Sequence, residues 1–246
     1  MTRFALSLVV ASLFAFSVHP VAAQPGAQPA KVYAIHGIPG GDLGLDPSLP
    51  VDIAVNGGCV GVLTNFRFGD IRGPLSLPAG QYTFEIKLNL GGAPCSGPTV
   101  ITAPMVPFAS GETATVIAHF NESGGLGGIT ASKFVNDVTK TGPGRARIVA
   151  HHTAAAPAVD VVVSRDIEDP TAPAITVPDF VNGQQVGAPI RPGDWQAALK
   201  LAGTNTVALG PATLTLKPFT AYFVYAVGSA STGSLTFLVN AVSNLK

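Results

Sequence analysis

The second half of the sequence repeats the first, and this internal repeat constrains the fold more than any other feature. The segment 30–36 aligns with the segment 146–152, and both segments end in a histidine. Each copy then reaches a proline and an apolar segment with one aspartate, Asp52 in the first copy and Asp160 in the second. Because matching order and spacing indicate a duplicated folding unit, the repeat predicts two related domains in tandem.

The segments between turn signals have the pattern of β-strands. Five segments of the first copy alternate apolar and polar residues or are rich in β-branched and aromatic residues: 31–35, 51–55, 81–88, 113–120 and 129–135. Clusters of Asn, Gly and Pro separate them, as is typical of turns. We therefore predict an all-β chain of two tandem immunoglobulin-like β-sandwich domains, residues 31–139 and 145–246, with a linker at 140–144.

One segment is ambiguous on composition alone. Residues 196–202 are mostly alanine, leucine and lysine, which favour a helix. The corresponding segment of the first copy, 81–88, is an evident strand, and in each copy an aromatic residue, Tyr82 or Trp195, follows a turn that contains proline and glycine. Because intrinsic propensity is a weak guide, we predict a strand here.

The N-terminus has the pattern of an export signal. A short positive segment with Arg3 precedes an apolar run, and small residues lead to a cleavage point after Ala23. The alternative is a membrane anchor, but the run is short for a span of about 20 residues. We predict a signal peptide at 1–23, a flexible tether at 24–30, and a periplasmic or extracellular protein with no membrane insertion after signal removal.

The composition argues against some partners. Without the signal peptide the chain has 13 basic and 14 acidic residues, so no overall positive charge attracts nucleic acid. Charged residues make up only 11% of the sequence, against about 25% in a typical domain. We therefore expect a neutral polar surface and no binding to nucleic acid.

The sequence contains two cysteines, Cys59 and Cys95, both in the first copy. In an oxidising compartment they are expected to form a disulfide. Two free thiols are the alternative. A zinc site is disfavoured because four ligands with finger-like spacing are lacking.

The duplicated histidine and aspartate are the main candidates for chemistry. His36 and Asp52 in the first copy match His152 and Asp160 in the second. A histidine beside a carboxylate could bind a metal or act as a base. The alternative, which we favour, is a structural contact that pins the loop between the first two strands. We predict no catalytic residues, no metal site and no cofactor.

Other polar and aromatic residues have weaker signals. His151 and His152 should point to opposite faces of a strand, so that one of them faces solvent. His119 lies in a later strand, and the sequence does not place it near the others. Tyr82 and Trp195 could stack on sugars, but core packing is the favoured interpretation.

Two acidic loops resemble calcium ligand sets only faintly. The segment 40–46 is a single glycine- and aspartate-rich stretch, and Asp166, Glu168 and Asp169 form a second acidic cluster. Calcium prefers several oxygen ligands. We interpret both segments as solvated loops.

The segment 146–160 resembles the opening of a secreted bacterial and archaeal family, domain of unknown function 4397. Members resemble this chain in an export signal, a strand that ends in histidine, a short Ala-Pro loop and a Val-Asp strand, commonly in tandem copies. The first copy departs from this pattern, because a glycine-rich insertion through Leu49 replaces the short loop. The resemblance implies β-sandwich domains of surface or envelope proteins with no established activity.

These observations favour a non-catalytic exported module that mediates adhesion or protein–protein interaction. The partner would be an unidentified protein or a surface glycan. The alternative is an accessory protein that binds a glycan or a divalent metal ion. A hydrolase that uses His152 and Asp160 is the least favoured class.

Overall fold

The computed structural model describes residues 27–169, 171–243 and 245. These residues form sixteen β-strands and three short 3-10 helices, and no α-helix occurs among them. The strands of the first half are β1 (Ala30–His36), β2 (Val51–Val55), β3 (Gly58–Cys59), β4 (Ile71–Leu77), β5 (Gly80–Leu88), β6 (Thr99–Phe108), β7 (Thr113–Phe120) and β8 (Ile129–Val135). Those of the second half are β9 (Ala146–His152), β10 (Val159–Ser164), β11 (Ala174–Phe180), β12 (Gln185–Ile190), β13 (Gly193–Leu201), β14 (Val207–Leu216), β15 (Thr220–Val227) and β16 (Thr236–Ser243). The 3-10 helices are Gly40–Leu43, Gly61–Leu63 and Leu126–Gly128.

Each half contains two four-stranded sheets, and the two halves have the same strand order. In the first half the orders are β4-β1-β7-β8 and β3-β2-β5-β6. In the second half they are β12-β9-β15-β16 and β11-β10-β13-β14. The first and seventh strands of each half pair in parallel, and the other neighbours pair antiparallel. The chain is therefore all-β, in two sandwich-like halves.

The strand order differs from that of an immunoglobulin domain. Immunoglobulin constant domains place strands A and B in one sheet of order ABED. Here β1 and β2 lie in different sheets, because the segment between them crosses from one layer of the sandwich to the other. The predicted sandwich is confirmed, whereas the predicted immunoglobulin arrangement of its strands is not.

Alternation along the strands separates two kinds of buried face. On β1, Val32 and Ala34 point into the core of the first half, whereas Ile35 belongs to a different cluster. Alternate residues of β9 divide in the same way, with Ile148 in the core of the second half and Val149 in that other cluster. Because successive side chains of a strand point to opposite faces, alternate residues of β1 and β9 point into the core of their own sandwich, and the residues between them point out of it.

The two halves pack against each other through this third apolar cluster. It joins residues of sheet β4-β1-β7-β8 to residues of sheet β12-β9-β15-β16: Ile35, Ile117, Phe134, Val149, Ala221, Phe223, Tyr225 and Val227. Leu245, which follows β16, belongs to the same cluster. The hydroxyl of Tyr225 also donates a hydrogen bond to Thr115 Oγ1 across the contact at 2.8 Å. We call this contact the inter-half interface.

Most predicted strands are confirmed. The segments 51–55, 113–120 and 129–135 form β2, β7 and β8 with the predicted bounds, and 196–201 is part of β13 despite its helix-forming composition. Here cross-strand pairing with β10 and β14 overrides propensity. The predicted linker lies between the end of β8 and the start of β9.

The N-terminal predictions have a mixed outcome. The predicted signal peptide, residues 1–23, lies outside the described residues. The predicted tether is too long at its end, because Ala30 is a buried residue of β1 and the Gln28 carbonyl accepts hydrogen bonds from Gly111 N and Ser110 Oγ. Within the part of the chain that the structure describes, no helix combines the length and hydropathy needed to span a membrane.

Candidate functional site

The carboxylate of Asp52 joins three chain segments on the outer side of sheet β3-β2-β5-β6. It lies between Val51 and Ile53, which point into the core, so its side chain emerges on the opposite face. Oδ1 accepts hydrogen bonds from Asn65 N at 2.8 Å and Asn89 Nδ2 at 3.0 Å, and Oδ2 accepts one from Cys95 N at 2.8 Å. The residue is only 1% exposed. Asp52 therefore fixes two loops against the sheet.

The guanidinium of Arg72 holds one of these loops from a second side. It donates hydrogen bonds to the carbonyls of Val62, Thr64 and Asn65 at 3.1, 2.7 and 2.9 Å. The same group lies over the ring of the buried Phe66, 4.9 Å from its centroid. A planar group with several donors suits such a set of carbonyls better than a lysine would.

A disulfide between Cys59 and Cys95 joins the second loop to β3, as predicted. The segments 60–66 and 89–98 therefore lie side by side, held by Asp52, Arg72 and the disulfide, and we call them the braced platform. Two apolar side chains project from it into solvent: Val62 is 60% exposed and Leu90 is 66% exposed. The platform thus presents apolar groups on a preorganised backbone.

Asp160 has a related role in the second half. Its Oδ1 accepts a hydrogen bond from Asp179 N, and its Oδ2 accepts one from Gly203 N, both at 3.0 Å. Asp160 and Asp52 occupy matching register positions, opposite Lys200 and Lys87. The two aspartates thus bind backbone N–H groups of neighbouring loops in both halves.

The histidines do not contact these aspartates. His36 and His152 point into the sandwich cores, whereas Asp52 and Asp160 point away from them on the other sheet. The predicted histidine–aspartate contact is therefore wrong, and the strand alternation separates the two groups by a layer of the core. Each histidine contacts the loop after its own strand instead. His36 Nδ1 accepts a bond from Ile38 N at 3.3 Å, and His152 Nε2–H donates to a carbonyl of that loop at 3.3 Å.

Burial governs the protonation of these two histidines. It lowers the pKa of His36 to about 4, and the nearby Asp70 carboxylate opposes this only in part. Burial also lowers the pKa of His152. Both imidazoles are therefore neutral near pH 7, and His152 Nδ1 has no hydrogen-bond partner among the described residues.

His151 and His119 lie in the inter-half interface. The ring of His151 stacks on Tyr225 at 4.2 Å between centroids and meets Phe134 edge-on at 4.8 Å. His119 Nδ1–H donates to the carbonyl of Phe120 at 2.6 Å, and its Nε2 accepts from Ser132 Oγ at 2.8 Å. Burial lowers the pKa of both imidazoles to about 4.

The expectation that one residue of the dipeptide 151–152 faces solvent is therefore wrong. Both histidines are 1% exposed. The strand does point them to opposite faces, as predicted, but the first half covers the outer face of β9. One histidine consequently lies in a sandwich core and the other between the halves.

The acidic loops show no ligand set. Asp166 Oδ1 accepts from the N–H groups of Glu168 and Asp169, as in a solvated turn. Asp46 accepts from Ser48, whereas Asp42 accepts from two hydroxyl groups of the second half. Among the described residues no group of three or more His, Cys, Asp or Glu side chains is placed to hold a metal ion.

Tyr82 and Trp195 are equivalent in structure as well as in sequence. The hydroxyl of Tyr82 donates to the Pro78 carbonyl at 2.8 Å, and the indole N–H of Trp195 donates to the Arg191 carbonyl at 2.8 Å. Each aromatic ring is partly buried against the core of its own half. The favoured packing interpretation of these rings is therefore confirmed.

The sequence profile of the family described as Domain of unknown function (DUF4397) matches residues 30–162, more than half of the chain. The chain belongs to this family. The DUF4397 match runs from the first residue of β1 into β10, so it includes both cysteines and both aspartates described above.

No curated protein matches the sequence of this DUF4397 chain. Among solved structures, one similar chain is a candidate cell adhesion protein from Bacteroides ovatus ATCC 8483. It is 10% identical, with a TM-score of 0.27, and the alignment covers 90% of this chain and 99% of that chain.

Sequence reasoning missed two residues that organise the DUF4397 chain. Arg72 donates hydrogen bonds to carbonyls of the braced platform. Asn182 Nδ2 donates to the carbonyls of Phe120 in the first half and Ala154 in the second, at 2.9 and 2.7 Å. Neither residue lies in a recognisable motif, because the carbonyls that they bind come together only in the folded chain. The aspartates did carry a signal, which was their repeated position in an apolar strand.

Proposed function

We propose that this chain is an exported, non-catalytic module that binds a protein partner through the braced platform. The observation that carries the proposal is the exposure of Val62 and Leu90 on loops fixed by Asp52, Arg72 and the disulfide. Exposed apolar side chains on a fixed backbone suit protein contact, because little conformational entropy is lost on binding. Adhesion to another cell-surface protein is one form of such binding.

The state of the candidate catalytic groups supports the non-catalytic part of the proposal. The carboxylates of Asp52 and Asp160 accept hydrogen bonds from backbone N–H groups. His36 and His152 are buried and separated from those carboxylates by the core. A general base must reach the proton it removes, and these groups are engaged in holding loops.

Two finer points belong to the same proposal. We infer that the second half is a second copy of the family domain, because its eight strands occur in the same order as those of the first. We also infer export to an oxidising compartment, where the disulfide would be stable. Determination of the N-terminal residue of the protein recovered from cells tests export: Gln24 is expected, and retention of Met1 would contradict it.

Site-specific photo-crosslinking in whole cells tests the platform. A photoreactive amino acid at position 62 or 90 is expected to give a discrete protein adduct. The matched control is position 207, where Val207 is an exposed apolar residue of β14 in the second half. Equal adducts from all three positions, or none from 62 and 90, would reject the platform as the binding surface.

A double substitution gives an independent measure. Val62→Glu with Leu90→Glu should abolish the adduct formed from a third platform position, Ser96, while the melting temperature stays near that of the wild type, because both side chains are exposed. Val207→Glu should leave the adduct intact. An adduct that survives the double substitution would contradict the proposal.

A further inference from the structure

A pocket of about 180 Å³ lies in the first half, at the end of the sandwich where the insertion 37–50 follows β1. Its floor includes Ile86 and Ile101 from β5 and β6, and Leu43, Leu45 and Leu49 of the insertion form its roof. His36 is the one lining residue with a polar side chain. We call this the roofed pocket.

The roof is held in place by its own backbone. Leu45 N donates to the Gly40 carbonyl at 3.0 Å, and Leu49 N donates to the Asp46 carbonyl at 2.9 Å. A Cβ atom at position 40 would lie 2.4 Å from the Asp46 carbonyl oxygen, so the close turn requires glycine there. The pocket is therefore formed before any ligand arrives.

The second half anchors the roof from outside. Both carboxylate oxygens of Asp42 accept hydrogen bonds from hydroxyl groups of the second half, Thr232 Oγ1 at 2.8 Å and Ser234 Oγ at 2.5 Å. The roof thus depends on the inter-half contact as well as on the insertion. These hydrogen bonds favour an ordered roof over an insertion that collapses onto the floor of the pocket.

The loop at the corresponding end of the second half packs into the core of that half. This short loop follows β9, and its buried residues Ala154 and Ala156 belong to that core. The longer insertion of the first half forms a roof instead, over a space lined mainly by leucine, isoleucine and valine. Protein interiors are normally close-packed, so an apolar space of this size beneath an ordered roof is unusual and is open to an apolar ligand.

We propose that the roofed pocket binds a small apolar molecule of about the size of one aromatic ring. An apolar cavity of about 150 Å³ in another protein stays dry and accepts benzene, and the space here is of similar size. Leu45, Val100 and Leu126 line the pocket and are 36%, 37% and 68% exposed, so they mark its entrance. The site goes beyond the proposed protein contact, because neither Val62 nor Leu90 lines it.

Titration of the mature protein with toluene, followed by NMR of the leucine, isoleucine and valine methyl groups, tests the proposal. Saturable shifts are expected for methyl groups of the floor and roof, such as those of Ile101 and Leu49. The absence of saturable shifts up to the solubility limit of toluene would overturn it. So would saturation confined to methyl groups elsewhere in the protein.

A matched pair of variants locates the site. Val100→Trp should obstruct the entrance and weaken toluene binding at least ten-fold. The control is Ala208→Trp. Thr99 of β6 pairs with Lys87, and Val207 of β14 pairs with Lys200. Val100 and Ala208 directly follow these two residues, so they occupy equivalent positions in the two halves. Equal toluene affinity in the two variants would overturn the proposal. If Val100→Trp does not fold, the wild-type titration still decides the question.

The toluene and crosslinking experiments distinguish a failure of the pocket proposal from a failure of the platform proposal. Loss of crosslinking at positions 62 and 90 with intact toluene binding would reject the protein contact alone. Intact crosslinking without toluene binding would reject the pocket alone.

Discussion

The two halves of the molecule share a framework and differ at their loops. Both have the same strand order, an aspartate that binds loop N–H groups and an aromatic residue bonded to the turn before it. Only the first half has the long insertion, the disulfide and the fully buried aspartate, Asp52. The duplicated framework therefore supports a specialised first half, and both candidate binding features lie there.

A second contrast concerns the buried histidines. His36 and His152 lie at matching places in the two cores, whereas His119 and His151 lie in the inter-half interface. The interface consequently resembles a third core, with its own aromatic and polar contacts. The two halves therefore form one folded unit, and the stability of each half depends on the other.

Acidification should have the largest effect on the stability of the protein. Burial lowers the pKa of His36, His119 and His151 to about 4, whereas an unfolded histidine titrates near 6.5. Between these values the unfolded chain binds protons that the folded chain does not. Each histidine should therefore contribute stability that is complete above about pH 6.5 and is lost as the pH falls to about 4, on the order of 3 kcal/mol each.

Urea unfolding across this pH range measures the effect. His151→Phe keeps an aromatic ring beside Tyr225 and removes one titrating group, so the loss of stability on acidification should shrink by about 3 kcal/mol. A free energy of unfolding that stays constant from about pH 7 to about pH 4.5 would show that the buried histidines do not titrate as argued.

Removal of the disulfide, which lies in the first half, should have the next largest effect. The bridge closes a loop with a sequence separation of 36 residues. Cys59→Ser with Cys95→Ser should lower the free energy of unfolding by about 4 kcal/mol on the chain-entropy estimate.

The single tryptophan, Trp195, lies in the second half and makes the disulfide experiment a test of coupling. If the interface joins the halves into one unit, the fluorescence of Trp195 should report the same lowered midpoint as circular dichroism. A fluorescence midpoint that matches the wild type would show that the second half unfolds independently.

The two aspartates offer a direct comparison of the halves. Asp52→Ala leaves three donors without a partner at a buried site and should cost about 3 kcal/mol. Asp160→Ala affects two donors at a partly exposed site, where water can replace the carboxylate, and should cost about 1 kcal/mol. Equal costs in chemical denaturation would contradict the greater role assigned to Asp52.

The smallest expected effect concerns one hydroxyl group in the interface. Tyr225→Phe removes its hydrogen bond to Thr115 and should cost about 1 kcal/mol. Tyr222→Phe is the control, because the Tyr222 hydroxyl bonds only within the second half, to Lys217 N and the Thr215 carbonyl.

Hydrogen exchange distinguishes the two tyrosine variants. Tyr225→Phe should speed amide exchange on both sides of the interface, in β7 and β15, whereas Tyr222→Phe should affect the second half alone. The same exchange pattern in both variants would argue against a specific contribution of the Tyr225 hydroxyl to joining the halves.

The sequence by itself determined the local structure and the duplication. Alternation and composition placed five of the eight strands of the first half, and the repeat identified β13 as a strand although its alanine and leucine residues favour a helix. The compartment argument predicted the pairing of Cys59 with Cys95. These features follow from patterns within a strand, or between two copies of it, which a linear sequence contains.

The tertiary structure alone decided what covers each face and which loops meet. Alternation shows that His151 and His152 point to opposite sides of β9, but not that a second sandwich covers the outer side. It likewise gives no distance between His36 and Asp52, which lie on different sheets. Burial, pKa and contact depend on segments far apart in the chain, and those segments come together only when the sheets pack.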